Sequence, residues 1–203
     1  IEKDPNYEFC STALSAASIR QQFSTPLNID MSGFGIEFLR NLKRDLDPEV
    51  EISFHEKGYL VLATEPGRDI LRHNHATQIE RGADIIWMEP DELAAKYPWM
   101  NTSDLAAGCW GKTGEGWFDA YCLMQSFRKQ ARRQGADYID GEVVDVLRDG
   151  PQIIGVVLKD GRRFGCGALV NAAGTGGSKL ARMAGLEIPV EPRKRCIFVF
   201  DCR

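Results

Sequence analysis

The chain has 203 residues, 43% hydrophobic and 27% charged, which is enough apolar material for one large domain or two interleaved smaller ones. A net charge of -4, with no Lys/Arg-rich block, argues against nucleic acid or an anionic membrane as partner, and no apolar run approaches the roughly 18 residues of a membrane span. Cys10, Cys109, Cys122, Cys166, Cys196 and Cys202 form no C-x-x-C, and His55, His73 and His75 form no H-E-x-x-H, so reduced thiols and no metal site are expected.

In chain order, Ile1 opens in what reads as the end of a strand, with Glu2 at its tip. An apolar, strand-like run at 196–200 closes the chain, and the expectation is a fragment cut at both ends, without legible targeting information. Residues 9–19 are rich in small and hydroxyl side chains: either a helix N-terminus or a loop that lets backbone approach a ligand. Thr25-Pro26 reads as an N-cap and first helical position. Phe34, Phe38, Leu42 and Leu46, with Leu39 beside them, predict one buried helical stripe. Residues 52–63 predict a hairpin turning at 55–58, and 66–81 a surface helix ended by Gly82. A strand at 85–87, a helix from Pro90 to Lys96, a strand at 105–110 and an amphipathic helix at 120–134 follow. From Gly141 the chain predicts three strands, the last two joined by an Asp160-Gly161 turn, then a buried apolar strand ending Val170-Asn171-Ala172-Ala173-Gly174. A helix at 178–183 and an extended segment at 190–200 end it.

Few residues announce chemistry by themselves. Glu2 after a strand could accept hydrogen bonds from a ribose diol, though such an acid is commonly just solvated. Main-chain N–H groups of 11–19 could reach a pyrophosphate or a flavin ring, or could start a helix. Arg20 could grip a carboxylate bidentately beside such a site, or lie solvated. In the glycine-dense stretch 111–119, Asp119 reads as a helix N-cap, while Trp117 and Phe118 are core or pocket wall. The basic cluster 193–195 reads as a solvated edge. There is no G-x-S-x-G, Walker motif or nucleophile–base pair. The residues support a cofactor-dependent α/β protein of flavin type.

Glu2, the run from Ser11 to Phe23, Gly141-Glu142-Val143-Val144 and Val170-Asn171-Ala172-Ala173-Gly174 occur in an order that resembles the D-amino-acid-oxidase-like flavoproteins. That resemblance implies an α/β fold: an incomplete FAD-binding Rossmann-type domain (1–25 and 121–186) interleaved with an α+β, mixed-sheet substrate domain (26–120 and 187–203). The stretches 38–41, 97–102, 114–119 and 188–195 resemble one branch of the family, mitochondrial flavoproteins associated with assembly of respiratory complex I. Mitochondrial location and complex I subunits or assembly intermediates as partners are therefore implied, beside a small amine or amino-acid substrate. By the same resemblance Glu2 would bind the adenosine ribose. Ser11, Thr12 and the backbone of Ser15, Ala16, Ala17, Ser18 and Ile19 would line pyrophosphate and flavin, Val143 or Val144 would meet the adenine through backbone groups, and Ala172, Ala173 and Gly174 would pack beneath the cofactor. Some relatives attach FAD through a histidine in the small-residue run; residues 13–17 have none, so non-covalent FAD is implied. Ala17-Ser18 replaces the Gly-Gly usual in the branch, and Ala120 stands where proline is usual. The family's N-terminal G-x-G-x-x-G is not in this chain. Amine oxidation in the family passes a hydride to the flavin and needs no protein nucleophile, with Arg20 the carboxylate candidate here.

Overall fold

The computed structural model describes residues 1–199. They divide into two compact units, one of residues 1–15 and 131–198, the other of residues 16–130 together with Val199.

The second of these is built around an antiparallel three-stranded sheet. Its strands are β2 (Leu60–Ala63), β3 (Ile85–Met88) and β4 (Ala107–Gly111), in the order β2-β4-β3, with Val61 and Trp87 both opposite Cys109. Helices α1 (Pro26–Arg40) and α3 (Arg68–Glu80) supply Ile29 and Leu71 to a core with Ala83, Ile85, Ala107 and Cys109. Helix α4 (Pro90–Lys96) starts on a capping box, Glu89 N–H donating to Glu92 Oε2 at 2.8 Å, and buries Leu93. Leu93 lies so close to Gly108 that a Cβ there would come within 2.8 Å of its Cδ2, so the strand needs glycine at that point. A second cluster joins Leu39, Leu42 of α2 (Leu42–Asp45), Val50 and Ile52 to Phe118 and to Leu123 of α5 (Ala120–Arg133). Asp119 caps α5, accepting from Cys122 N–H at 2.8 Å. The short strands β1 (Ser18–Ile19) and β5 (Gly116–Trp117) pair antiparallel.

The other unit is a meander of β6 (Val143–Asp149), β7 (Gln152–Leu158) and β8 (Arg163–Gly165). Gly150 and Gly161, at φ +57° and +90°, make its two turns, and Arg162 N–H closes the second on Asp160 Oδ1 at 3.0 Å. Val146, Val156 and Leu158 are buried in the sheet, and Ala181 of α6 (Gly177–Met183) is buried as α6 packs on β6. Glu2 forms a parallel bridge with Asp140: Glu2 N–H donates to Ile139 O and Gly141 N–H to Glu2 O, both at 2.9 Å.

Four sequence expectations change. Phe34 is 76% exposed, because the buried line of α1 runs through Ile29, Ile36 and Leu39. A strict four-residue spacing overshoots a helical turn by about 40° each step, so Phe34 lies off the packed face, while Leu39 and Leu42 of the predicted stripe are buried and Phe38 and Leu46 pack against them. The hairpin at 52–63 does not form: within 52–57 the one β-bridge is His55–Trp117, and β2 pairs with β4 instead. Gly58, at φ +85°, turns the chain against Gly111 O, where a Cβ would stand 2.2 Å away. The predicted buried strand ending at Gly174 is also absent, with no strand over 166–173 and Val170 85% exposed. A strand buried on both faces needs a partner at each edge, and among the described residues only Cys166 of this run meets a strand, its N–H donating to Ile154 O of β7 at 3.0 Å. Residues 190–199 likewise carry no strand, and residue 200 lies outside the described residues. Among the described residues, no helix is long and apolar enough to cross a membrane, and no cluster of three or more His, Cys, Asp or Glu could hold a metal ion.

Candidate functional site

In the unit containing β6–β8, the predicted cofactor residues fall at the ends and irregularities of its secondary structure. Glu2 sits at the parallel bridge, and its Oε1 accepts from Asp4 N–H at 2.9 Å. Of the two readings of residues 9–19, the loop holds: 11–14 are turns, with Leu14 N–H donating to Cys10 O at 3.2 Å, and no helix starts there. Ser11 and Ser15 are exposed and Thr12 half-buried. Among the described residues the hydroxyls of Ser11 and Thr12 have no hydrogen-bond partner. Val143 opposes Leu158 and Asp145 opposes Val157, so Val144 is the extra residue of a β-bulge, and such a residue is left unpaired in the ladder. Ala172, Ala173 and Gly174 are exposed ahead of α6. Asn171 shapes that turn, its Nδ2 donating to Gly177 O at 2.8 Å and its Oδ1 accepting from Ala173 N–H at 3.3 Å.

The remaining predicted residues lie in the unit of the β2-β4-β3 sheet. Ala16 is exposed and Ala17 sits at φ +49°, a left-handed conformation that glycine adopts more easily. Ser18 and Ile19 are committed to β1, and Ala17 O accepts from Phe118 N–H at 3.0 Å. Arg20 follows at the strand's end. Its guanidinium lies 4.9 Å from the Phe23 ring centroid and 6.0 Å from that of Tyr59. No carboxylate among the described residues pairs with it, and the side chain is exposed. An arginine held by ring faces keeps its N–H fork open for a planar anion.

The structure adds a residue that the sequence reading did not single out. Glu115 is fully buried, and its carboxylate accepts from four donors on two separate segments. Gln21 N–H and Gln22 N–H donate to Oε1 at 2.6 and 3.1 Å, while Gln22 Nε2 and Tyr59 N–H donate to Oε2 at 2.9 and 3.2 Å. Gly111 makes room for it, since a Cβ there would lie 1.8 Å from Oε2. The glycines around Glu115 were the available signal; they mark close approach, but not what approaches. Of its aromatic neighbours, Phe118 is core, edge-on to Phe54 at 6.4 Å, and Trp117 is half-exposed beside His55.

The fold has counterparts among known proteins. A family model described as DAO, FAD dependent oxidoreductase, matches residues 1–203. FAD-dependent oxidoreductase domain-containing protein 1 of Xenopus laevis is 38% identical over all of this chain and 47% of its own length. The chain thus spans about half the length of that relative. The solved L-proline dehydrogenase from P. horikoshii superposes with a TM-score of 0.74 at 26% identity, over 86% of this chain and 46% of that one. The glycine oxidase from Geobacillus kaustophilus gives 0.73 at 24% identity, over 90% and 50%, a likeness of fold. With the family model matched from end to end, the chain belongs to the DAO family of FAD-dependent oxidoreductases.

Proposed function

We propose that this protein oxidises a small amine or amino acid that carries a carboxylate, with FAD bound non-covalently. The observation that carries the reading is Arg20: exposed, propped on Phe23 and Tyr59, and without an acidic partner among the described residues. A cation so placed can hold a substrate carboxylate in a fixed direction, which orients the neighbouring C–H bond. The donor set near the bulge and the bridge suits FAD. Glu2 offers an anionic acceptor for a ribose diol, Val144 offers unpaired backbone groups for an adenine edge, and Ala172 to Gly174 leave room for a flat ring. When bound, FAD supplies the hydride acceptor. The chain's own part is to bind and orient; no protein nucleophile is required, and no nucleophile–base pair is in the sequence.

The test uses the full-length protein. Sarcosine, glycine, L-proline and D-amino acids are added anaerobically, and flavin absorbance is followed. Bleaching by one of them, weakened at least tenfold in apparent affinity by Arg20→Ala, is the expected result; no bleaching by any would refute the reading.

A second reading is favoured by the 38% identity to FAD-dependent oxidoreductase domain-containing protein 1 over the whole chain. Its branch, as the motif resemblance implies, serves assembly of respiratory complex I in mitochondria. In that reading the partners are complex I subunits or assembly intermediates. Deletion of the gene is then expected to lower complex I content, and an unchanged content would sink it.

A further inference from the structure

Glu115 is a fully buried carboxylate that makes no ion pair with a lysine or arginine among the described residues. Such a charge is tolerated only when hydrogen bonds satisfy it, and here four N–H donors do so. The donors belong to two segments that meet at Arg20. Gln21 is the next residue in the chain, and Tyr59 is one of the two rings that carry the guanidinium. Gln22 ties the segments a second time, its Nε2 donating to Tyr59 O at 3.0 Å as well as to Glu115 Oε2. In this pose Gln22 Oε1 is buried without a hydrogen-bond partner. Turning the amide over would bring that oxygen no donor and would set it against two acceptors, Tyr59 O and the Glu115 carboxylate. The carboxylate and Tyr59 O therefore together dictate the orientation of Gln22, and through it the spacing of the two segments.

We propose that Glu115 is a positioning residue for Arg20. Its carboxylate locks the main chain at 21–22 and at 59, so that Phe23 and Tyr59 present the guanidinium at one fixed angle to a substrate carboxylate. This deepens the proposed function and rests on Arg20 being the carboxylate anchor. Glu115 itself touches no substrate.

Two measurements on the full-length, FAD-loaded protein test it. The first does not depend on turnover. Phenylglyoxal modifies arginine side chains, and modification of Arg20 is timed by mass spectrometry of its peptide. With Glu115→Gln, one oxygen that accepts two N–H groups becomes a donor, and Arg20 is expected to be modified several-fold faster. An unchanged rate would overturn the positioning role. Should Glu115→Gln fail to fold, Gln22→Met removes only the side-chain tie and is expected to change the rate in the same direction; no change there would count equally against it.

The second measurement compares sarcosine with sarcosinamide, which lacks the carboxylate. Glu115→Gln should raise KM for sarcosine about tenfold, lower the limiting rate by less, and leave the sarcosinamide KM in place. The double variant Arg20→Ala/Glu115→Gln should be no worse than Arg20→Ala alone. Additive losses would mean that Glu115 supports the fold without directing Arg20. If Arg20→Ala leaves the sarcosine KM unchanged, the carboxylate reading fails, while the labelling result still decides whether Glu115 sets the pose of Arg20.

Discussion

Glu56 accepts from Arg40 Nε and Nη2 at 3.0 and 2.6 Å, and from Gly114 N–H at 2.6 Å, so it fastens α1 to the turn before Glu115. Above all the Arg40 hydrogen bond, then the Gly114 N–H, hold its carboxyl below the ordinary value of 4.5 against the opposing effect of burial. A carboxyl lowered by folding stabilises the fold above its unfolded value, and that contribution fades as pH falls through the folded one. The window is therefore acidic, from 4.5 downward. Thermal melts by circular dichroism should show wild type losing more stability than Glu56→Gln below pH 4.5, with the variant less stable at neutral pH. Equal acid sensitivity of the two would refute this. Cys109 illustrates the opposite sign. It is fully buried in the sheet core, and burial pushes its thiol up to about 12. Since the thiolate is the reactive form, iodoacetamide should label exposed Cys196 in the folded protein and Cys109 only after denaturation, as read by peptide mass spectrometry. Labelling of both at similar rates would place Cys109 in a more open site than the fold shows.

At the scale of elements, punctuation was more legible than burial. Pro26, Gly82, Pro90 and Asp119 mark element ends in the sequence, and α1, α3, α4 and α5 begin or stop beside them. These signals are local: a fixed proline φ, a glycine at positive φ, or a carboxylate on the first turn acts whatever packs nearby. Which face of α1 is buried was not legible, because the apolar residues nearly encircle it and only the sheet selects a side. The expected contrast is energetic. Leu39→Ala should cost about 2–4 kcal/mol as a large-to-small core change, whereas Phe34→Ser should stay within about 0.5 kcal/mol. Urea unfolding of the two variants checks this, and a large loss for Phe34→Ser would mean that its face is covered in the full-length protein. The hairpin at 52–63 failed for a related reason. Alternation names a strand, but the partner is chosen at long range, and β4 offered β2 a four-residue register from Leu60↔Trp110 to Ala63↔Ala107.

For the whole molecule, the prediction concerns the adenosine end. In the full-length protein Glu2→Gln should weaken FAD binding by about tenfold or more, since a charge-assisted hydrogen bond is worth about 1.5–3 kcal/mol. Equilibrium dialysis measures it, and an unchanged affinity would remove Glu2 from the ribose. The sequence by itself determined the family, the order of most elements and the motif ends from Glu2 to Gly174. Those features are carried by residue type at fixed spacing, where each side chain's local chemistry is enough. The tertiary structure alone decided that residues 9–15 are a loop, that Val144 is a bulge, that 166–173 forms no strand, and that Glu115 is the buried tie behind Arg20. Each of these depends on which distant groups satisfy a given N–H, carbonyl or carboxylate. Residues 93 and 94 positions apart meet at Glu115, and no local pattern encodes such a meeting.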